Sequence, residues 1–244
     1  MIAALMLDLD DSPDFPGSAG QALGRPLAAY PFLAARSTGE IRRWFVVTDT
    51  PPVKAVALQN NAEIIDPLAH DHGAPGAEAL LRHGFRAAFE LVKDEKDGID
   101  LLVVFLANAP AVTHELVQQG LDAMHGQPAL DGAVSVSQIR RLSPWKETQD
   151  GLIEPQPVLD GAWRLDFGVQ FFRPRCLESA SLYQGHKILA LKQSAPGPVD
   201  HRWQLPACEA WLQKHGHRDL TASMEPQPKP QLQAKKQNKQ PGAL

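Results

Sequence analysis

The sequence has little of several features that mark particular classes of protein. It has two cysteines, Cys176 and Cys208, in 244 residues, which excludes a disulfide scaffold or a four-cysteine zinc module. Its longest strongly apolar stretch, residues 101–107, is far too short to span a bilayer. The formal net charge of −4 argues against a general nucleic-acid-binding protein, which would carry a basic surface.

The two ends of the sequence differ from its body. The first residues, MIAALMLDLDD, lack the positive region of a secretory signal peptide, so we expect a cytoplasmic protein with reduced thiols and no membrane contact. The last residues, EPQPKPQLQAKKQNKQPGAL, are rich in Pro, Gln and Lys. Because such a segment cannot bury enough apolar surface to offset its ordering entropy, we expect residues 221–244 to form a disordered tail.

The body has an ordinary globular composition, with 43% hydrophobic and 21% charged residues, and a length that suggests one large domain. Apolar runs predict strands near residues 2–9, 43–48, 62–65, 100–106 and 133–136. Helical spacing of apolar residues predicts helices near residues 26–35, 53–60, 78–92 and 113–124, the last with Thr113 as its N-cap. This alternation predicts an α/β domain with a mostly parallel sheet over residues 1–220.

The pattern also indicates where a ligand should bind. Residues 100–106, DLLVVFL, are typical of a strand buried on both faces of a parallel sheet. In an open α/β sheet, ligands bind beyond the carboxyl ends of the strands. The candidate loops are therefore residues 8–18, 48–52, 66–78 and 106–112. After residue 150 the pattern changes to short extended pieces, until a closing helix predicted near residues 206–215.

One interpretation of the first loop rests on the string Asp8-Leu9-Asp10. A strand ending in Asp-x-Asp resembles the first motif of haloacid-dehalogenase-type phosphatases. That resemblance implies a nucleophilic first Asp, a general acid/base second Asp and a nearby Mg²⁺. No later predicted strand ends in the acidic pair that would complete such a magnesium site, and the central one ends in Ala-Asn-Ala-Pro.

A second interpretation uses more of the chain. Residues 24–30, GRPLAAY, are similar to the segment GKPLIAY of acylneuraminate cytidylyltransferases, and residues 46–50, VVTDT, to their VSTDS. Residues 105–110, FLANAP, occupy the place of LQPTSP, and residues 131–137, DGAVSVS, resemble DSVVSV. The pieces follow in the family's order and with nearly its spacing.

Individual residues take their expected roles from this resemblance. Ser12, Pro16 and Gly17 fall in register with the family's first loop, and Glu78 with its Asp-Thr-Ala-x-x-x-Asp segment. Together with Asn108, these residues are expected to bind the nucleotide or the substrate. The resemblance makes Arg25 and Asp49 candidate catalytic residues. It makes Asp200 a candidate ligand of Mg²⁺, and the acidic first loop offers Asp8 or Asp10 as a second candidate ligand.

The resemblance implies a Rossmann-like nucleotide-diphospho-sugar transferase fold with a small lid or dimerisation excursion at residues 145–192. It implies transfer of CMP from CTP to a sialic-type or related sugar acid, for surface glycan biosynthesis, by a homodimer.

The expected site differs from that of the family in the charge of its residues. Leu9, Pro13 and Ser18 stand where the family's first loop has Arg or Lys, and Pro198 replaces the first of the paired metal-binding Asp residues. Four carboxylates in a loop without cations would oppose the binding of a triphosphate, because the repulsion of each close pair of like charges is roughly 1–4 kcal/mol. Two alternatives follow. Either the acidic loop helps to bind a Mg²⁺ that bridges the phosphates, or the chain is a catalytically inactive relative with a binding or assembly role.

Overall fold

The computed structural model describes residues 1–9, 15, 17–68, 76–139, 145–150, 152–158 and 160–216. The strands in these ranges are β1 (Ile2–Leu7), β2 (Gln21–Ala22), β3 (Arg25–Pro26), β4 (Ile41–Val47), β5 (Glu63–Ile65), β6 (Leu101–Leu106), β7 (Gly132–Gln138), β8 (Trp145–Glu147), β9 (Ile153–Pro155), β10 (Trp163–Phe172) and β11 (Ile188–Gln193). The α-helices are α1 (Ala29–Arg36), α2 (Pro51–Gln59), α3 (Ala77–Val92), α4 (His114–Gly126), α5 (Pro174–Glu178) and α6 (Leu205–His215). The predicted tail lies outside the described residues.

Seven strands form one sheet in the order β11-β7-β10-β6-β1-β4-β5. β1 pairs in parallel with both β4 and β6, β4 with β5, and β7 with β11. Strand β10 is antiparallel to its two neighbours, β6 and β7. The prediction of an α/β fold with a mostly parallel sheet is therefore confirmed.

The centre of the sheet is its most apolar part. Every residue of β6 is buried, as are the last five residues of β1, because helices cover the sheet and leave these strands no solvent-facing side. Helix α3 packs on β1, β4 and β5, and α4 packs on β7, β10 and β11. Each large apolar side chain buried here stabilises the fold by about 1.5–3 kcal/mol.

The main difference from the sequence prediction concerns residues 145–192, which were expected to form one excursion. β10 lies inside the main sheet and β11 at its edge, while β8 and β9 pair only with each other in the described chain. The reason is burial, since Val169, Phe171 and Phe172 are as buried as the central strands. The β8–β9 hairpin, by contrast, has exposed apolar side chains, with Leu152 68% and Ile153 64% exposed.

Two smaller expectations concern single residues. Thr113 caps α4, because its side chain accepts a hydrogen bond from the backbone N–H of Leu116 at 3.2 Å, as predicted. Cys176 and Cys208 are free and buried. Burial raises the pKa of both thiols to about 11, so both are protonated at neutral pH. Among the described residues, none of the helices combines the length and apolar character needed to cross a bilayer.

A glycine in α4 allows that helix to approach the sheet closely. A Cβ atom built on Gly120 would clash with the ring of Phe171 in β10. We expect Gly120→Ala to lower the free energy of unfolding by up to about 2 kcal/mol, because overpacking typically costs about 1–3 kcal/mol and the helix-propensity gain of about 1 kcal/mol offsets only part of it. Urea unfolding measures the change.

Gly126, at the end of the same helix, provides the matched control for this prediction. No atom lies within 4 Å of a Cβ built there, so Gly126→Ala should leave stability unchanged or raise it by up to about 1 kcal/mol. Equal effects of the two substitutions would show that the close approach of Phe171 to Gly120 does not determine which residue α4 can carry at position 120.

Candidate functional site

A cavity of about 630 Å³ lies at the carboxyl ends of β1 and β6, the edge at which the sequence places ligands. Its volume is in the range of small-molecule sites. Four stretches supply most of its wall: Leu9 and Gly17 after β1, Leu106 and Asn108 at the end of β6, residues 164–167 of β10, and the segment from Gly197 to Gln204 before α6. Ala77 at the start of α3 completes it.

Two residues predicted from the sequence meet in this wall although they are 92 positions apart. The Asn108 Nδ2 donates a hydrogen bond to Asp200 Oδ1 at 2.9 Å, and the backbone N–H of Val199 donates to the Asn108 carbonyl at 2.8 Å. Asn108 is only 5% exposed, and its Oδ1 has no hydrogen-bond donor among the described residues. The pair thus joins the end of β6 to the segment before α6.

Asp200 itself is held by a short turn. Its backbone N–H and that of His201 both donate to Gln204 Oε1, each at 2.7 Å. These contacts fix the backbone at the start of the turn, while the side chain of Asp200 is exposed at the cavity. Asp200 is therefore an accessible carboxylate beside a buried, unpaired amide oxygen.

The carboxylate of Asp8 is engaged elsewhere. It accepts hydrogen bonds from Ser18 Oγ and from Thr48 Oγ1, the latter at 2.5 Å, and it is not part of the described cavity wall. Asp8 thereby connects the segments that follow β1 and β4. Gly17, the residue before Ser18, lines the cavity, and its backbone is left-handed with a φ of 49°.

Three further predicted residues lie outside the described wall of the cavity. Arg25 is half-buried on β3 near Tyr30, whose pKa is raised to about 12 by burial and lowered in part by the Arg25 charge. Asp49 is exposed after β4. Glu78, in α3, forms an ion pair with Arg82 at 2.8 Å. The assigned roles of all three stay predictions. Ser12, Pro16 and Asp10 lie outside the described residues.

Asp166 is a candidate site residue that the sequence analysis missed. It is 4% exposed and lines the cavity. Its Oδ1 accepts from Ser135 Oγ and from the Gly168 N–H at 3.0 Å. Its Oδ2 accepts from Ser137 Oγ at 2.8 Å and from Gln193 Nε2 at 2.7 Å. Four donors from three strands therefore occupy the acceptor positions of one carboxylate.

A sequence signal for Asp166 exists. An acidic residue in the middle of the β-rich run WRLDFGVQFF must find donors if that strand is central. The serines at 135 and 137 alternate along β7, so their side chains share one face and can reach the same carboxylate.

The backbone beside Asp166 is distorted. Phe167 has a φ of 53°, and the pairing of β10 with β7 shifts register between Leu165 and Gln170. A non-glycine residue in this left-handed region costs roughly 1–2 kcal/mol, and irregular strands of this kind occur often beside active sites. Phe167 lies in the cavity wall with 38% of its surface exposed.

The donors for a metal ion are few in the described part of the chain. No group of three or more His, Cys, Asp or Glu side chains there could hold a metal. Asp200 nevertheless offers an exposed carboxylate at the cavity, and carboxylate oxygens are ligands that Mg²⁺ prefers. The residues present fit a Mg²⁺ that completes its coordination with phosphate oxygens and water, as this ion usually does.

The hydrogen bonds of Asp166 predict a stability effect. In Asp166→Asn, an NH₂ group would face side chains that now donate to the carboxylate, so we expect a loss of about 1–3 kcal/mol in the free energy of unfolding. Asp160→Asn is the control, because Asp160 is exposed and has no hydrogen bond or ion pair among the described residues; its effect should stay within about 0.5 kcal/mol. Urea unfolding compares the two. Equal stabilities would contradict the assigned hydrogen-bond network.

Comparison with known proteins identifies the fold. The sequence matches no protein-family model and no curated protein. Among solved structures, it is similar to CMP:2-keto-3-deoxy-manno-octonic acid synthetase complexed with CTP and to 4-diphosphocytidyl-2C-methyl-D-erythritol synthase from Anaerococcus prevotii. Each has a TM-score of 0.60 and 14% sequence identity, over 87% of this chain and 98% of the other. The chain therefore has the fold of these two synthetases.

Proposed function

We propose that this protein is a nucleotidyltransferase that transfers CMP from CTP to a sialic-type or related sugar acid used for surface glycans. The observation that carries the proposal is the cavity at the carboxyl ends of β1 and β6, where Gly17, Asn108 and Asp200 lie together in one wall. One structure with the same fold is a sugar-acid synthetase complexed with CTP.

The reaction is a displacement at phosphorus. A hydroxyl oxygen of the sugar acid forms a bond to the α-phosphorus of CTP and releases its proton. The bond from that phosphorus to the bridging oxygen breaks, and pyrophosphate leaves with the electron pair. Little covalent chemistry falls to the protein, so positioning and electrostatic stabilisation supply most of the acceleration.

Asn108 and Gly17 serve as binding residues in this proposal. The Oδ1 of Asn108 lacks a donor among the described residues, and a hydroxyl or amino group of the nucleotide or sugar would supply one. The left-handed backbone of Gly17 has no side chain to obstruct a close approach of the ligand. Ser12 and Pro16, which belong to this first loop, are proposed to bind the nucleotide or the substrate as well. Arg25, Asp49 and Glu78, which lie outside the described cavity wall, remain proposed contributors.

Mg²⁺ is the proposed cofactor, held by Asp200 with help from Asp8 or Asp10. Asp200 is the main ligand, because Asp8 already accepts hydrogen bonds from Ser18 and Thr48. When bound, the ion would neutralise charge on the phosphates and the leaving pyrophosphate. Asn108 would orient the Asp200 carboxylate through its Nδ2 contact at 2.9 Å.

Pyrophosphate release from CTP, with Mg²⁺ and N-acetylneuraminate or 2-keto-3-deoxy-manno-octonate, tests the activity. We expect Asp200→Asn to lower kcat about 100-fold or more, by analogy with the loss of one donor that stabilises transition-state charge in an oxyanion hole. Asp94→Asn is the control, since Asp94 is exposed in the turn after α3, and should leave the rate unchanged.

Other outcomes point to the alternatives. If the wild-type protein releases no pyrophosphate and calorimetry detects no CTP binding with Mg²⁺, the transferase proposal is wrong and an inactive relative with a binding role remains. Phosphate release from sugar phosphates, abolished by Asp8→Asn, would instead identify the phosphatase chemistry.

We also propose that the protein is a homodimer, through the region of the β8–β9 hairpin. Its exposed apolar residues include Leu152, Ile153 and Val158, with Trp163 following at the start of β10. Several exposed apolar side chains in one stretch of chain favour an interaction site there. We expect the double variant Leu152→Asp/Ile153→Asp to be a monomer by light scattering, at a concentration where the wild type is a dimer. A wild-type monomer would contradict the proposal.

A further inference from the structure

The hairpin formed by β2 and β3 is supported by a residue near the other end of the described chain. Glu209, half-buried in α6, accepts a hydrogen bond at its Oε1 from the backbone N–H of Leu23, 186 positions away, at 2.9 Å. Leu23 and Gly24 form the turn of the hairpin, since Ala22 before them pairs with Arg25 after them. A carboxylate of the last helix therefore holds a turn that follows the first loop.

The conformation of this turn explains why it needs support. Both of its residues have a left-handed backbone, with a φ of 49° at Leu23 and of 75° at Gly24. Two-residue hairpin turns in which both residues have a positive φ favour Asn-Gly, and leucine is strained in this region because of its Cβ atom. The hydrogen bond from the Leu23 N–H to Glu209 stabilises that residue in the conformation that the turn requires.

A small hydrophobic cluster joins the same hairpin to the segment that carries Asp200. Its buried members include Ala22 and Tyr30 on one side and Val199 and Cys208 on the other. The Tyr30 hydroxyl donates to the Ala22 carbonyl at 2.6 Å, so the hairpin is fixed on this cluster. The Glu209 contact and the cluster together make α6 a common support for the hairpin and for Asp200.

Arg25, the first residue of β3, lies directly after the turn and close to the cavity. The chain that follows it returns to the first loop, because the Leu27 N–H donates to the Gly20 carbonyl at 2.8 Å and the Ala28 N–H to the Ser18 carbonyl at 3.4 Å. Gly17, which precedes Ser18, lines the cavity.

The charge of Arg25 is available to a ligand. Its side chain is half-buried, and its guanidinium has no hydrogen bond or ion pair within the part of the chain that the structure describes. Burial raises the pKa of Tyr30 to about 12, and the charges of Arg25 and Glu209 change that pKa in opposite directions. Both charges therefore lie near one ring, although no ion pair joins them.

We infer that Glu209 is a positioning residue, which fixes the β2–β3 hairpin so that Arg25 can bind the phosphate chain of the nucleotide. Glu209 acts through the Leu23 N–H and does not touch the ligand. The inference rests on the proposed transferase function for the identity of that chain as the triphosphate of CTP. A hairpin that is already ordered favours binding, because the entropy of ordering it is not lost when the ligand binds.

Calorimetry in the presence of Mg²⁺, with CTP and with inorganic tripolyphosphate as probes, tests the inference. We expect Arg25→Met to weaken both probes about 10- to 100-fold, as for the loss of a hydrogen bond between charged groups. Glu209→Ala should weaken both about 3- to 10-fold, the effect of one hydrogen bond. In the Arg25→Met background, Glu209→Ala should change either Kd by less than about twofold, because two residues that act through one contact are not additive.

Three further variants separate positioning from a general effect on the fold. Glu209→Gln keeps an oxygen that accepts from the Leu23 N–H and should bind both probes like the wild type. Gln213→Ala, at an exposed position of α6, should also leave binding unchanged. Gly120→Ala, which is expected to lower stability far from the hairpin, should bind both probes normally, and urea unfolding verifies that every variant is folded.

The inference is overturned if Glu209→Ala leaves both Kd values unchanged, if it weakens the probes equally with and without Arg25, or if Glu209→Gln binds as weakly as Glu209→Ala. Failure of the proposed function looks different. If the wild type binds tripolyphosphate in a manner that depends on Arg25 and Glu209 but binds no CTP, the positioning role stands and only the CMP transfer is lost. A wild type that binds neither probe would overturn both.

Discussion

The parallel pairing of β1 with β6 is the interaction on which the cavity depends. Each residue of Ile2–Leu7 lies beside one of Leu101–Leu106, and the N–H of Ala107 continues the ladder by donating to the Leu7 carbonyl at 2.9 Å. Both strands therefore end at the same edge of the sheet. Because their side chains are buried almost throughout, the residues just after each strand are the first that can meet a ligand, and these include Leu9 and Asn108.

Charge determines what this edge can bind. The sequence suggests an anionic first loop, but the one described carboxylate of that loop, Asp8, faces the hydroxyls of Ser18 and Thr48. The described wall of the cavity contains Asp166 and Asp200 against Arg164. One Arg gives little to hold a triphosphate, which is why the proposed reaction depends on Mg²⁺ at Asp200.

Local patterns in the sequence predict the strands and helices but not every neighbour in the sheet. The apolar run at residues 100–106 predicts β6, and the hydroxyl of Thr113 predicts the start of α4. The place of β10 between β6 and β7 depends on non-local pairing, which no local signal specifies. Asp166 was missed for this reason, since its donors come from β7, β10 and β11. The sequence analysis singles out Asn108 and Asp200 separately, but their contact across 92 positions is known only from the structure, because no spacing rule predicts it.

The turn that contains Asp166 and Phe167 has a backbone conformation that lowers stability. Stability alone therefore does not account for the residues in this wall of the cavity. Glycine would adopt the φ of 53° found at Phe167 with little strain, and a glycine stands at the next position, 168. The chain instead bears a cost of roughly 1–2 kcal/mol for an aromatic residue in the left-handed region, and four hydrogen bonds to Asp166 keep the turn in place. Strain that persists because its surroundings enforce it is concentrated at ligand-binding sites. Since 38% of the Phe167 surface stays exposed at the cavity, the ring gains less from burial than a core residue would, and the hydrogen bonds of Asp166 rather than burial of the ring keep this conformation.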